Sequence, residues 1–159
     1  MRPTSYHIIQ NVGIGAVVLH KFVQSFYAAQ SDLQGPNLAL AMPVLPILYN
    51  KRFLEAICRR NMEGGFYNAL SEFRDLPAGL QGRMERMSNQ TFEALNLGFA
   101  SKMLTYDKEL NEILPIKRAR KPRIVNEEIK FMLRGADRLG YWFSSLSFEQ
   151  LCIYLKISF

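Results

Sequence analysis

The run LALAMPVLPILY, Leu38 to Tyr49, constrains this chain more than any other stretch. It is apolar on every side, so it has to be buried on every side. Crossing a bilayer takes roughly twenty apolar residues, and this run is too short for that. Pro43 and Pro46 each lack a backbone N–H, which rules out a central β-strand. What remains is a short helix entered at proline or a buried extended segment, and the rest of the chain has to cover it.

The chain can do so as one domain. Its 159 residues are 48% hydrophobic and 21% charged, which excludes a disordered tail, a collagen-like fibre and a coiled-coil rod. The apolar stretch near the start is clean only from Val12 to Leu19. Gln10 and Asn11 precede it and His20-Lys21 closes it, unlike a signal peptide. A soluble, cytoplasmic protein with no membrane contact is expected. Cys58 and Cys152 lack CxxC spacing and read as buried thiols of a reducing compartment.

Periodicity predicts a mostly α (α+β) fold, one compact helical domain over 1–159 with a small β-hairpin. Asn11 is a plausible N-cap for a helix over 11–29, where Ile14, Val18, Phe22 and Phe26 form one stripe. Further helices are expected over 51–60, with Phe53, Leu54, Ile57 and Cys58 inward, and over 66–73. Leu80, Met84, Met87, Thr91, Leu95 and Gly98 step by three or four and predict one helix face. Residues 103–107 and 112–116 read as two short strands around a polar turn. Helix then hairpin is the order of a winged-helix unit, so 11–116 is taken as helices plus hairpin. A basic connector, 117–125, leads to a C-terminal helix pair, 126–157. Asn126 and Ser147 are its caps, and Phe148, Leu151, Cys152 and Leu155 are expected to face the core.

The catalytic inventory is thin. His7 and His20 have no ligand cluster around them, and zinc needs three or four ligands at defined spacing, so no metal is expected. His20 reads simply as a helix-face residue. Val12-Gly13-Ile14-Gly15 begins like a dinucleotide fingerprint, but Val18 stands where the third glycine belongs and no strand precedes it. No cofactor and no enzymatic activity are expected.

Two features point to partners. Lys117, Arg118, Arg120, Lys121 and Arg123 crowd together after the hairpin, and Lys130, Arg134 and Arg138 extend the charge along the next helix. With Lys and Arg totalling 20 against 14 Asp and Glu, a net +6, the strip suits phosphate contact, docking on an acidic protein, or plain solubility. Tyr141-Trp142-Phe143 cannot all face one way from a helix, since neighbours are about 100° apart. Ile129, Met132, Ala136, Leu139 and Phe143 make the core stripe, which leaves Phe131, Tyr141 and Trp142 off it. Trp142, with Tyr141, is therefore a candidate partner anchor.

The ordered set Asn11, Gly15-Ala16, Leu19, Phe22, Tyr27, then Leu45-Pro46-Ile47-Leu48 and Lys51, resembles the middle component of bacterial three-component ABC systems. Arg86-Met87-Ser88, Ala94-Leu95, Gly98 and the closing Ala136, Leu139-Gly140, Trp142-Phe143 and Leu155 continue the resemblance to about residue 157. The family's closing Leu-Gly-Val step stands here as Leu155-Lys156-Ile157. The resemblance implies a non-enzymatic subunit acting with an SMC/Rad50-like ATPase and a nuclease-type effector, as in Lamassu-type anti-phage and anti-plasmid defence. It would bridge the two and help hold the effector inactive until foreign DNA is sensed, touching DNA through the complex. The alternative is a free-standing winged-helix DNA-binding transcriptional regulator.

Overall fold

A computed structural model describes residues 11–120 and 122–159. Its first helix, α1 (Val12–Ala29), starts where the Asn11 side chain accepts the Ile14 N–H at 3.1 Å. The apolar run becomes two short helices. α2 (Leu38–Ala41) is capped by Asn37, and every residue of α3 (Val44–Leu48) is buried. Pro43 precedes α3 and Pro46 lies in its first turn, where a helix has no acceptor for the N–H groups anyway. The prolines thus select helix without losing a hydrogen bond.

Asn50 caps α4 (Lys51–Arg59), which buries Phe53, Leu54, Ala56 and Ile57, and α5 (Gly65–Glu72) follows the Gly64-Gly65 break. The stripe from Leu80 to Gly98, expected as one helix, is two: α6 (Leu80–Arg86) and α7 (Ser88–Ala100). They meet at Met87, where φ −95° and ψ 3° leave the helical region. The Ser88 hydroxyl donates to the Glu85 carbonyl at 2.9 Å, a local bond that competes with helix continuation. Leu80, Met84, Thr91, Leu95 and Gly98 are all buried, so the face continues across the break.

Strands β1 (Leu104–Asp107) and β2 (Glu112–Pro115) pair antiparallel from Leu104↔Pro115 to Asp107↔Glu112. The Asp107 carboxylate accepts the N–H groups of Glu109 and Leu110 at 3.0 and 3.1 Å, and Asn111 takes the left-handed φ of 55°. The outer edge of β2 is occupied: the Ile113 N–H donates to the Pro36 carbonyl at 2.8 Å. A Cβ on Gly35 would lie 2.1 Å from the Ile113 oxygen, so this approach requires glycine.

Asn126 caps α8 (Glu127–Ser144), with Glu127 and Glu128 at its positive end. A complete capping box, Ser147 with Gln150, opens α9 (Phe148–Leu155). Helix α9 stops at Lys156, φ 53° and ψ 47°. That is the left-handed position where helices favour glycine, and it coincides with the departure from the Leu-Gly-Val step.

The core lies along the contact between α1 and α8, the most extensive in the fold. Gly140 brings the two backbones together, and Phe22, Phe143 and Phe66 meet edge-on with centroids 5.6 Å apart. By length and composition α1 could cross a bilayer, beyond what its short clean stretch suggested. Its Val18, Leu19, Phe22, Val23 and Phe26 are instead buried in the protein's own core. Because α7, α8 and β2 all pack on α1, more than one of its faces is covered. His20, expected only as a helix-face residue, is therefore 4% exposed.

Three other expectations are corrected. Cys58 and Cys152 are only half-buried, not buried thiols. Phe148 points outward, its ring 5.3 Å from that of Phe159, so Leu151 and Leu155 alone carry the buried face of α9.

Candidate partner-docking site

The connector leaves β2 with the Ile116 N–H donating to the Met103 carbonyl at 3.0 Å, then runs beside α1 to the start of α8. Ile124 turns half inward while Arg118, Arg120 and Arg123 stay exposed. Lys117 is drawn toward Asp32, 3.5 Å away. Lys121 lies outside the described residues, as does His7.

Arg120, Pro122, Arg123 and Ile124 form one wall of a groove of about 660 Å³, with Ile14, Ala16 and Val17 of α1 and Leu97 of α7 opposite. A second groove, about 390 Å³, continues it: Val17, Met103, Pro122 and Ile124 line both. Its far end is polar, with His20, Lys21, Gln24, Arg134 and Asp137. The Ser25 hydroxyl donates to the Asp137 carboxylate, and Lys21 lies 4.0 Å from the same oxygen, so that acid has a donor and a cation beside it within the fold.

The expected basic strip is thus divided. Arg120 and Arg123 face the groove, and Arg134 sits over the Phe131 ring at 5.1 Å on the margin of the second. Lys130 pairs with Glu127 at 3.1 Å. Arg138 is half-buried, and its Nε donates to the Arg60 carbonyl at 2.8 Å, tying α8 to the end of α4. Burial pushes the Cys58 thiol upward, and the charges of Arg138 and Arg134 partly pull it back.

Trp142 does not present a surface. It is 2% exposed, its indole N–H donates to the Met62 carbonyl at 2.9 Å, and its ring lies 5.8 Å from that of Phe66. The α5 segment covers the flank of α8 that the core stripe leaves open, which a single helix's periodicity does not reveal. Tyr141, 45% exposed, remains outward.

A further groove of about 260 Å³ escaped the sequence reading. Tyr67, Leu70, Ser71, Arg74 and Pro77 meet Tyr154 and Lys156 there, with the two tyrosine rings 5.7 Å apart. Its residues come from distant parts of the chain. The one signal in the sequence was that Tyr154 falls outside the set of the last helix expected to face the core. Among the described residues, no three His, Cys, Asp or Glu side chains are placed to hold a metal.

Residues 1–159 match ABC-three component (ABC-3C) system Middle Component 3. The chain belongs to this family. No curated protein and no solved structure matches it. As a Middle Component 3, the chain is one subunit of a multi-component system, so surfaces that receive other subunits are what its structure has to supply.

Proposed function

We propose that this Middle Component 3 is a non-enzymatic cytoplasmic adaptor joining an SMC/Rad50-like ATPase to a nuclease-type effector. It helps keep the effector inactive until foreign DNA is sensed, in the manner of a Lamassu-type defence complex. The supporting observation is that the two groove systems share no lining residue among those described. One runs along α1, the connector and α8; the other lies between Tyr67 and Tyr154. A bridging subunit needs two separate contact surfaces, and tyrosine and arginine are enriched where protein interfaces form.

The reading as a free-standing winged-helix regulator gains less support. A wing that touches DNA carries cations at its tip, whereas this hairpin presents Asp107, Glu109 and Glu112 against Lys108 alone. Co-expression of the chain with the ATPase and effector encoded beside it tests the adaptor reading. All three proteins should purify together, and omission of this chain should separate the other two. Assembly of ATPase and effector without it would overturn the proposal.

A further inference from the structure

We infer that the α1–connector–α8 trough binds an acidic amphipathic segment of a partner subunit. This rests on the adaptor reading and deepens it by giving the chemistry of one partner. The trough follows α1 from Gly13 to Gln24, with Ile14, Val17, Lys21 and Gln24 three or four apart on one helix face. At 1.5 Å per residue that is roughly 16 Å, the length of three helical turns. So long and open a shape suits an extended or helical peptide better than a compact small molecule.

Its chemistry narrows the occupant further. Ile14, Val17, Leu97, Met103 and Ile124 offer apolar surface, which side chains such as Leu or Phe would fill. Arg120 and Arg123 stand beside them, and no carboxylate lines this larger groove among the described residues. Neither arginine has an ion pair with a described residue. At the far end Asp137 already faces Ser25 and Lys21, and the exposed Arg134 adds a further positive charge. A segment carrying apolar residues on one side and carboxylates on its flank matches both properties. A nucleic acid backbone would use the arginines but leave the apolar floor wet, where it gains nothing from burial.

The test uses the co-expressed three-subunit complex. A photo-crosslinking phenylalanine analogue replaces Leu97, a partly exposed residue of α7, and the attached peptide is identified by mass spectrometry. The expected product is one peptide of the ATPase or the effector bearing apolar residues and at least two carboxylates. Arg120→Glu with Arg123→Glu, and separately Leu97→Asp, should weaken subunit association about tenfold or more while leaving the melting temperature unchanged. Lysine substitutions at the carboxylates of the crosslinked peptide should restore binding to the double glutamate variant. Binding of a duplex DNA to the complex should keep the same salt slope in that variant. Crosslinking to the DNA, loss of that slope, or a peptide without carboxylates would overturn the inference. Association of the wild-type chain that both variants leave intact overturns this inference alone. A wild-type chain that binds neither subunit overturns the adaptor reading together with it.

Discussion

Replacing Gly140 by alanine adds one methyl group at the closest approach of the two longest helices. Mid-helix, that change ordinarily gains stability, since glycine is about 1 kcal/mol worse than alanine there. Here the new Cβ would lie 2.5 Å from the Phe22 carbonyl oxygen and 2.9 Å from the Phe26 nitrogen. Ordinary contact begins at 3.4 Å, so α1 and α8 must separate by about 0.9 Å. Both obstacles are backbone, so no rotamer change relieves them. Separation would loosen the Phe22–Phe143 contact and the Ser25–Asp137 bond together. Overpacking of a filled core costs about 1–3 kcal/mol, which exceeds the propensity gain. Taking the middle of that range, a net loss of about 1 kcal/mol corresponds to a melting temperature lower by about 2–4 °C for a domain of this size. Gly82→Ala is the matched control: its Cβ meets only the far end of the Arg86 side chain, at 3.1 Å. That variant should gain up to about 1 kcal/mol. Thermal unfolding followed by circular dichroism reads both. If Gly140→Ala melts at or above the wild-type temperature, the close backbone contact is wrong.

Trp142→Ala should cost about 3–5 kcal/mol in urea unfolding, as for a core aromatic. Trp142→Phe should lose only about 1 kcal/mol with the bond to Met62. A Trp142→Ala protein of wild-type stability would return this residue to the surface. The Tyr49 hydroxyl is buried, finds no hydrogen-bond partner among the described residues, and has its pKa pushed up to about 12 by burial. The unfolded chain releases that proton near pH 10, before the folded one does. Stability present below pH 10 therefore falls between pH 10 and 12, by about 2–3 kcal/mol. Tyr49→Phe should flatten this alkaline loss in denaturant titrations without weakening the protein at pH 7, and an unchanged alkaline limb would contradict it. Lys156→Gly removes a side chain from a left-handed position and should raise stability by about 0.5–1 kcal/mol, whereas a lower melting temperature would mean that Lys156 is not held at φ 53°.

Helix starts were the most legible part of the chain. Asn11, Asn126 and Ser147 each accept the backbone N–H of the residue three positions on, a bond set by a few neighbouring residues and so visible in sequence. The hairpin was legible for the same reason. Met87 was not, because a break that keeps steps of three and four leaves the hydrophobic period unchanged. Trp142 was misplaced because its cover, Phe66 and the Met62 carbonyl, comes from a segment about eighty positions earlier. The arginines of the candidate site were visible as a cluster. Which of them face a groove, and which hold the fold as Arg138 does, depends on long-range packing. Tyr67 and Tyr154 carry that limit furthest: nothing local pairs an α5 residue with one on α9.

The joining of α1 to α8 has a consequence for how the protein is made. Ser25 and Asp137 stand 112 positions apart, so α1 leaves the ribosome well before the helix it packs against. At about 5–20 residues per second, Asp137 is not even synthesised until on the order of ten seconds after Ser25. Throughout that interval the 18-residue α1, apolar enough to resemble a membrane span, has no α8 to lie against. Nascent chains at this stage are natural clients for a holdase chaperone. A gene product truncated before α8 should accumulate in inclusion bodies rather than as a smaller folded subunit.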